Sequence, residues 1–173
     1  MRISRVIQTA VLVTFSLALC AAQATLEKTT EPDAFGVFYH LDSASGTLKR
    51  LPQEEFRRHT SNGFSSVTQS VMVPGDASPF HVGADAQPTF VFKVFKDEDA
   101  SRAKLFQFNV KGSDREYDLS KWHRKESTTN TGLPINIGQY GQSSFKVTPE
   151  SALAPGEYAL TLGTTVFTFS VGK

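Results

Sequence analysis

From Phe35 onward, apolar and polar side chains take turns along this chain, and a period of two is the signature of strands packed on one face. The alternation is cleanest in Phe106-Gln107-Phe108-Asn109-Val110-Lys111, where Phe106, Phe108 and Val110 would share one face, with Gln107, Asn109 and Lys111 opposite. Phe90, Phe92 and Val94 predict a second such strand; Val67, Val71 and Val73 with Gln69 predict a third. Tyr117 and Leu119, Ile135 and Ile137, Phe145 and Val147 continue the series. It ends with Tyr158, Leu160 and Leu162, then Phe167, Phe169 and Val171. Two runs, 36–41 and 47–51, flank the turn-rich Asp42-Ser43-Ala44-Ser45-Gly46 and predict a hairpin that Pro52 stops. About nine short strands at turn-punctuated spacing predict an antiparallel sandwich in preference to a barrel or an α/β design.

Three segments depart from the alternation. Residues 53–59, Gln53 to His59, form the best helix candidate, though a short one that Asn62-Gly63 soon breaks. Asp97 to Arg102 is a charged connector expected to hold one helical turn started by an acidic cap. Glu126 to Thr131, followed by Gly132, has the composition of an exposed, mobile polar loop.

The first 24 residues obey different rules. Arg2 and Arg5 precede an apolar run from Val6 to Leu19, and Ala22-Gln23-Ala24 offers a small-residue cleavage site. A charged end, a short apolar middle and a small-residue exit describe an export signal, too short for a settled membrane span. Cleavage after Ala24 removes Cys20, the only cysteine. The other reading of Cys20, lipidation of a membrane-anchored lipoprotein, conflicts with bulky Leu19 directly before it. The expected organisation is a signal peptide over 1–24, a flexible leader over 25–34 and one domain over 35–173. Beyond the signal no apolar run reaches membrane length, so no transmembrane segment is expected after cleavage, and the expected location is periplasmic or secreted.

Without cysteine, the domain is held by packing, and aromatic side chains supply it. Of the 14 Phe, only Phe15 lies in the signal. The chain carries 18 Lys and Arg against 17 Asp and Glu, two of the cations being Arg2 and Arg5. A nearly neutral mature chain has no global field to draw it to nucleic acid or to an anionic membrane.

Chemistry-bearing motifs are sparse. Ser101 to Lys104 and Ser143 to Lys146 match Ser-x-x-Lys, a serine-nucleophile spacing; residues three apart on a strand face opposite ways, which rejects the second pair. His40, His59, His81 and His123 lack the close pairing of metal sites, and Asp85, Asp97, Glu98 and Asp99 lie in no regular calcium loop. The expectation is therefore no catalytic residue, no metal and no cofactor. Lys121-Trp122-His123-Arg124-Lys125 is the surface that stands out: cationic or titratable groups around the only Trp suit a polyanion, a glycan or an acidic partner.

Leu153-Ala154-Pro155-Gly156-Glu157-Tyr158-Ala159-Leu160 resembles the turn into the penultimate strand of immunoglobulin-like and fibronectin type III domains, where a Leu, a Pro-Gly turn and a Tyr form a tyrosine corner. In its own right, Pro155 presets the turn, Gly156 supplies an unusual dihedral, and Tyr158 buries a ring whose hydroxyl seeks a backbone acceptor. This block, with Tyr140 to Pro149 and the Phe38 to Gly46 hairpin, is similar to small secreted bacterial proteins of unassigned activity. The resemblance implies an immunoglobulin-like β-sandwich and a compartment, and no chemistry. The function expected is a non-enzymatic exported protein that binds or supports an envelope protein or glycan. The alternatives are a small metal-dependent or serine hydrolase on the same sandwich, with His40, His81 and the acidic loop at one end, and a lipid-anchored assembly protein.

Overall fold

The strands run in chain order as β1 (Phe38–Asp42), β2 (Thr47–Arg50), β3 (Gln53–Glu54), β4 (Arg57–Asn62), β5 (Ser66–Pro74), β6 (His81–Val82) and β7 (Phe90–Lys93). After a 3-10 turn, Ala100–Arg102, follow β8 (Lys104–Gln107), β9 (Asn109–Lys111), β10 (Asp114–His123), β11 (Glu126–Thr129), β12 (Ile135–Gln139), β13 (Ser144–Pro149), β14 (Gly156–Leu162) and β15 (Thr165–Val171). This computed structural model describes residues 30–83, 87–124 and 126–172. The signal segment with Cys20, and also Asp85 and Lys125, lie outside the described residues.

The protein is all-β, and its strands gather into three sheets. The first sheet has the order β12-β13-β7-β1-β2; the second has β3-β15-β14-β8, with β6 alongside β15; the third has β11-β10-β5-β4, with β9 alongside β10. Neighbouring strands are antiparallel, save the parallel pair of β6 with β15.

Period-two alternation decides how the sheets stack. Tyr158, Leu160 and Leu162 of β14 and Phe167, Phe169 and Val171 of β15 pack with Phe38, Phe90, Phe92 and Val147 of the first sheet. On the opposite face of the second sheet, Ala159, Val166 and Phe106 pack with Val71, Val73 and Tyr117 of the third. The second sheet is thus a middle layer buried on both sides, which is why β14 from Glu157 to Leu162 and β15 from Val166 to Val171 are buried residue after residue. Aromatic rings supply much of the main core: Phe38 lies 4.8 Å from Phe92 and 5.4 Å from Phe167, and Phe90 lies 4.7 Å from Phe169.

The structure corrects several expectations. There are fifteen strands among the described residues where about nine were expected, because short edge pieces such as β3 and β6 complete the middle sheet. Residues 53–59 form no helix. Gln53 and Glu54 pair with Phe167 and Val166, and Arg57 onward pairs with β5; seven residues are too few to nucleate a helix against that competition. Val110 does not share the buried face of Phe106 and Phe108: the chain leaves the middle sheet after Phe108, β9 joins β10, and Val110 is 48% exposed. The polar stretch at 126–129 is β11, paired with β10 although fully exposed. In the described part of the leader, Glu31 accepts from the Gln142 amide and Ser143 and pairs with Lys93 at 3.6 Å, and Asp33 accepts from the Tyr39 hydroxyl, so this stretch is docked on the first sheet. The acidic cap does form: Asp99 accepts from the Ser101 amide at 2.9 Å and starts the 3-10 turn.

Candidate functional site

The third sheet is longer than the layer it packs on. Its near half, around Val71, Val73 and Tyr117, lies on the middle sheet, while β4 from Arg57 to Asn62 and β11 from Glu126 to Thr129 are exposed at every residue. Asn62, Val67, Trp122 and Ser127 stand side by side across the free end. Trp122 therefore shares the face of Val67 and lies beyond the middle sheet, leaving its side chain 46% exposed.

Two hairpin turns meet at this free end. In the β4–β5 turn Phe64 is fully exposed. In the β10–β11 turn Arg124 takes φ 56°, the left-handed conformation that two-residue hairpin turns require. Its amide donates to the Ser65 carbonyl at 3.0 Å, and Ser65 Oγ lies 3.3 Å from His123 Nε2, so the turns are tied together. Of the sequence-predicted patch, Lys121, Trp122, His123 and Arg124 are all exposed here, and Lys125 falls outside the described residues. Phe64 was missed, although a large apolar residue directly after Asn62-Gly63 was a legible signal.

The same sheet stands over a cleft of about 570 Å³, closed on its other side by the middle sheet and the β14–β15 turn. Phe56, Val71, Phe106, Tyr117, Leu119 and Val166 supply its apolar surface. Tyr117 stacks on Phe106 at 4.3 Å, and burial pushes its phenol up to about 12, with Arg58 drawing it partly back. At the opposite end of the interface between these two sheets, the buried Arg115 donates from Nε to the Gly75 carbonyl at 2.9 Å and from Nη2 to Glu54 at 2.5 Å. Glu54 accepts from Thr168, Thr168 bonds Ser78 at 2.8 Å, and the Ser78 amide donates to Glu157 at 2.8 Å. This network is a structural joint between the layers.

The remaining candidates are dispersed. Ser101 Oγ donates to Asp99 at 2.7 Å, and Ser143 Oγ to Glu31 at 3.3 Å, so neither serine is held by the lysine three residues on. His40 packs edge-on against Phe80 and Phe90, both at 5.8 Å, and His81 Nδ1 bonds Ser170 Oγ. Among the described residues no group of three His, Cys, Asp or Glu is placed to hold a metal ion. No helix among the described residues is long and apolar enough to cross a membrane.

At the Pro-Gly-Glu-Tyr segment, Tyr158 Oη donates to the Ala154 carbonyl at 2.6 Å, and Leu153 packs on the main core. Gly156 does not supply a positive φ; it is the first residue of β14, opposite Val171. Its reason is space: a Cβ there would meet Gln107 Nε2 at 3.3 Å. No family model, curated protein or solved structure matches the chain.

Proposed function

We propose that this is an exported, non-enzymatic β-sandwich protein that binds another component of the cell envelope, an acidic protein or glycan, through the free end of its third sheet. The observation that carries the reading is the joint exposure of Phe64, on the β4–β5 turn, and Trp122, at the end of β10 beside the tied turns, at an end where Lys121, His123 and Arg124 are exposed as well. Aromatic anchors bordered by cations suit an anionic partner, and desolvating two such rings on contact is the usual origin of a binding hot spot. The open edges of β4 and β11 add backbone groups for strand addition. The export segment at 1–24 supports an envelope location. The immunoglobulin-like character rests on the Pro-Gly-Glu-Tyr resemblance together with the Tyr158 to Ala154 bond.

The test compares binding of the purified protein and of two double variants to immobilised envelope fractions, protein and polysaccharide separately. F64S/W122S removes the rings, and K121S/R124G removes cations while glycine suits the turn's left-handed backbone. Loss of binding in F64S/W122S, with an unchanged urea midpoint, is the expected result. Undiminished binding by both variants would overturn the assignment of this surface.

A further inference from the structure

The cleft between the third sheet and the middle sheet carries charge of one sign only. Arg58 of the third sheet lines one wall; Arg102 and Lys104 line the other, and among the described residues no carboxylate lines it. None of the three forms an ion pair among the described residues, whereas Arg57, Lys93, Lys111 and Arg115 each have an acidic partner. Arg102 also acts on the carboxyl of Asp99, which does not line the cleft. Its oxygens are occupied by Ser101, whose hydrogen bonds are the main reason its carboxyl stays below the usual range. Arg102 Nη2 lies 4.0 Å from where a Cβ on Gly163 would sit, which places the guanidinium beside the β14–β15 turn at the cleft's rim.

Between the cationic walls the surface is apolar and aromatic. Tyr117, only 3% exposed, lines it, and its hydroxyl has no hydrogen-bond partner among the described residues. That hydroxyl is not among the polar atoms sealed from solvent, so it is open to donate to water or to an anion in the cleft. Thr161 and Ser120 add further donors. A volume of about 570 Å³ lies within the range of small-molecule sites.

We infer that this cleft is a binding site for a small organic anion with an apolar body. The acid group, a carboxylate, sulfonate or phosphate ester, meets Arg58, Arg102 and Lys104 and accepts from Tyr117, while the apolar body lies against Phe56, Leu119 and Val166. Charge complementarity fixes the sign of the ligand, since an acidic group lacking a counter-ion finds three here and a cation finds none. The site is separate from the exposed aromatic end and stands whether or not that end binds a partner.

The test uses 1-anilinonaphthalene-8-sulfonate as an aromatic anion, with amide shifts of the labelled protein mapping its position and decanoate and 1-naphthoate as competitors. Shifts should cluster at Tyr117, Ser120, Thr161, Gly163 and Thr165, and one or both competitors should displace the probe, decanoate marking an acyl body and naphthoate an aromatic one. R58S/R102S/K104S should weaken binding by roughly tenfold or more, since charge-assisted bonds are the strong ones. The control K49S/K96S/K146S, which loses the same charge from exposed positions elsewhere, should leave it unchanged. Scattered or absent shifts would overturn the inference. So would an unaffected triple variant or equal displacement by uncharged decanol.

Discussion

Replacing Arg115 by Met tests the joint between the middle and third sheets. The side chain is 1% exposed and fans its donors to the Gly75 and Pro74 carbonyls at 2.9 and 3.1 Å and to Glu54 at 2.5 Å; Nη1 lies 4.0 Å from Glu157. Methionine keeps much of the stem's packing on Phe108, whose ring lies 5.5 Å from the guanidinium carbon, and removes the charge. Two carboxylates then lose a buried cation. Removing one member of a buried ion pair costs about 3–5 kcal/mol, because the charge left behind has been desolvated without compensation. Against a total stability of about 5–15 kcal/mol for a domain, that is a large share. Urea unfolding at neutral pH, followed by circular dichroism, should show this loss in R115M with the slope unchanged. R115K, which keeps the charge but not the planar fork, should fall between. R115M/E54Q/E157Q should regain much of the loss, since neutral amides need no counter-ion. A loss below about 1 kcal/mol in R115M would refute the reasoning, because it is less than the lower end for breaking a buried pair.

Two further outcomes follow from the same structure. Y158F removes the 2.6 Å bond to the Ala154 carbonyl and should cost about 0.5–1.5 kcal/mol by urea midpoint; an unchanged midpoint would show that the bond contributes nothing. Burial against Phe80 and Phe90 holds His40 below the ordinary histidine range, with Asp42 pulling it back up and Lys49 pushing it further down. The unfolded chain therefore binds that proton more readily than the folded one. His40 contributes stability in full above about pH 6.5, and the contribution is lost as pH falls through the depressed folded value. H40Q should flatten the fall in urea midpoint between about pH 7.5 and pH 5.5, and an identical fall in both proteins would contradict the sign.

What alternation could reveal, it revealed. Phe90, Phe92, Phe167 and Phe169 are in the core, and the Asp42 to Gly46 turn closes the first hairpin, with Asp42 accepting from the Ala44 amide and Gly46 at φ 67°. The third layer was not legible, because a strand buried on both faces, such as β14 with Glu157, Ala159 and Thr161 opposite Tyr158 and Leu160, looks half-polar in sequence. Glu157 and Arg115 are polar by composition and buried only because they meet across two sheets. Exposed strands hid for the converse reason: β4 and β11 carry nothing apolar to show a period, and tertiary pairing alone makes them strands. Trp122 and its cationic neighbours are adjacent in the chain and were visible; Arg58, Arg102, Lys104 and Tyr117 come from four separate elements and were not.

Where the only Trp sits decides whether the third sheet has a free end. If the third sheet outruns the middle layer, Trp122 faces water at an end that also exposes Lys121, His123 and Arg124, so its emission should lie toward that of a solvated indole, and iodide should quench it more strongly than caesium. Blue-shifted emission resistant to both ions would place the ring inside the protein and contradict the free end on which the proposed binding surface is built.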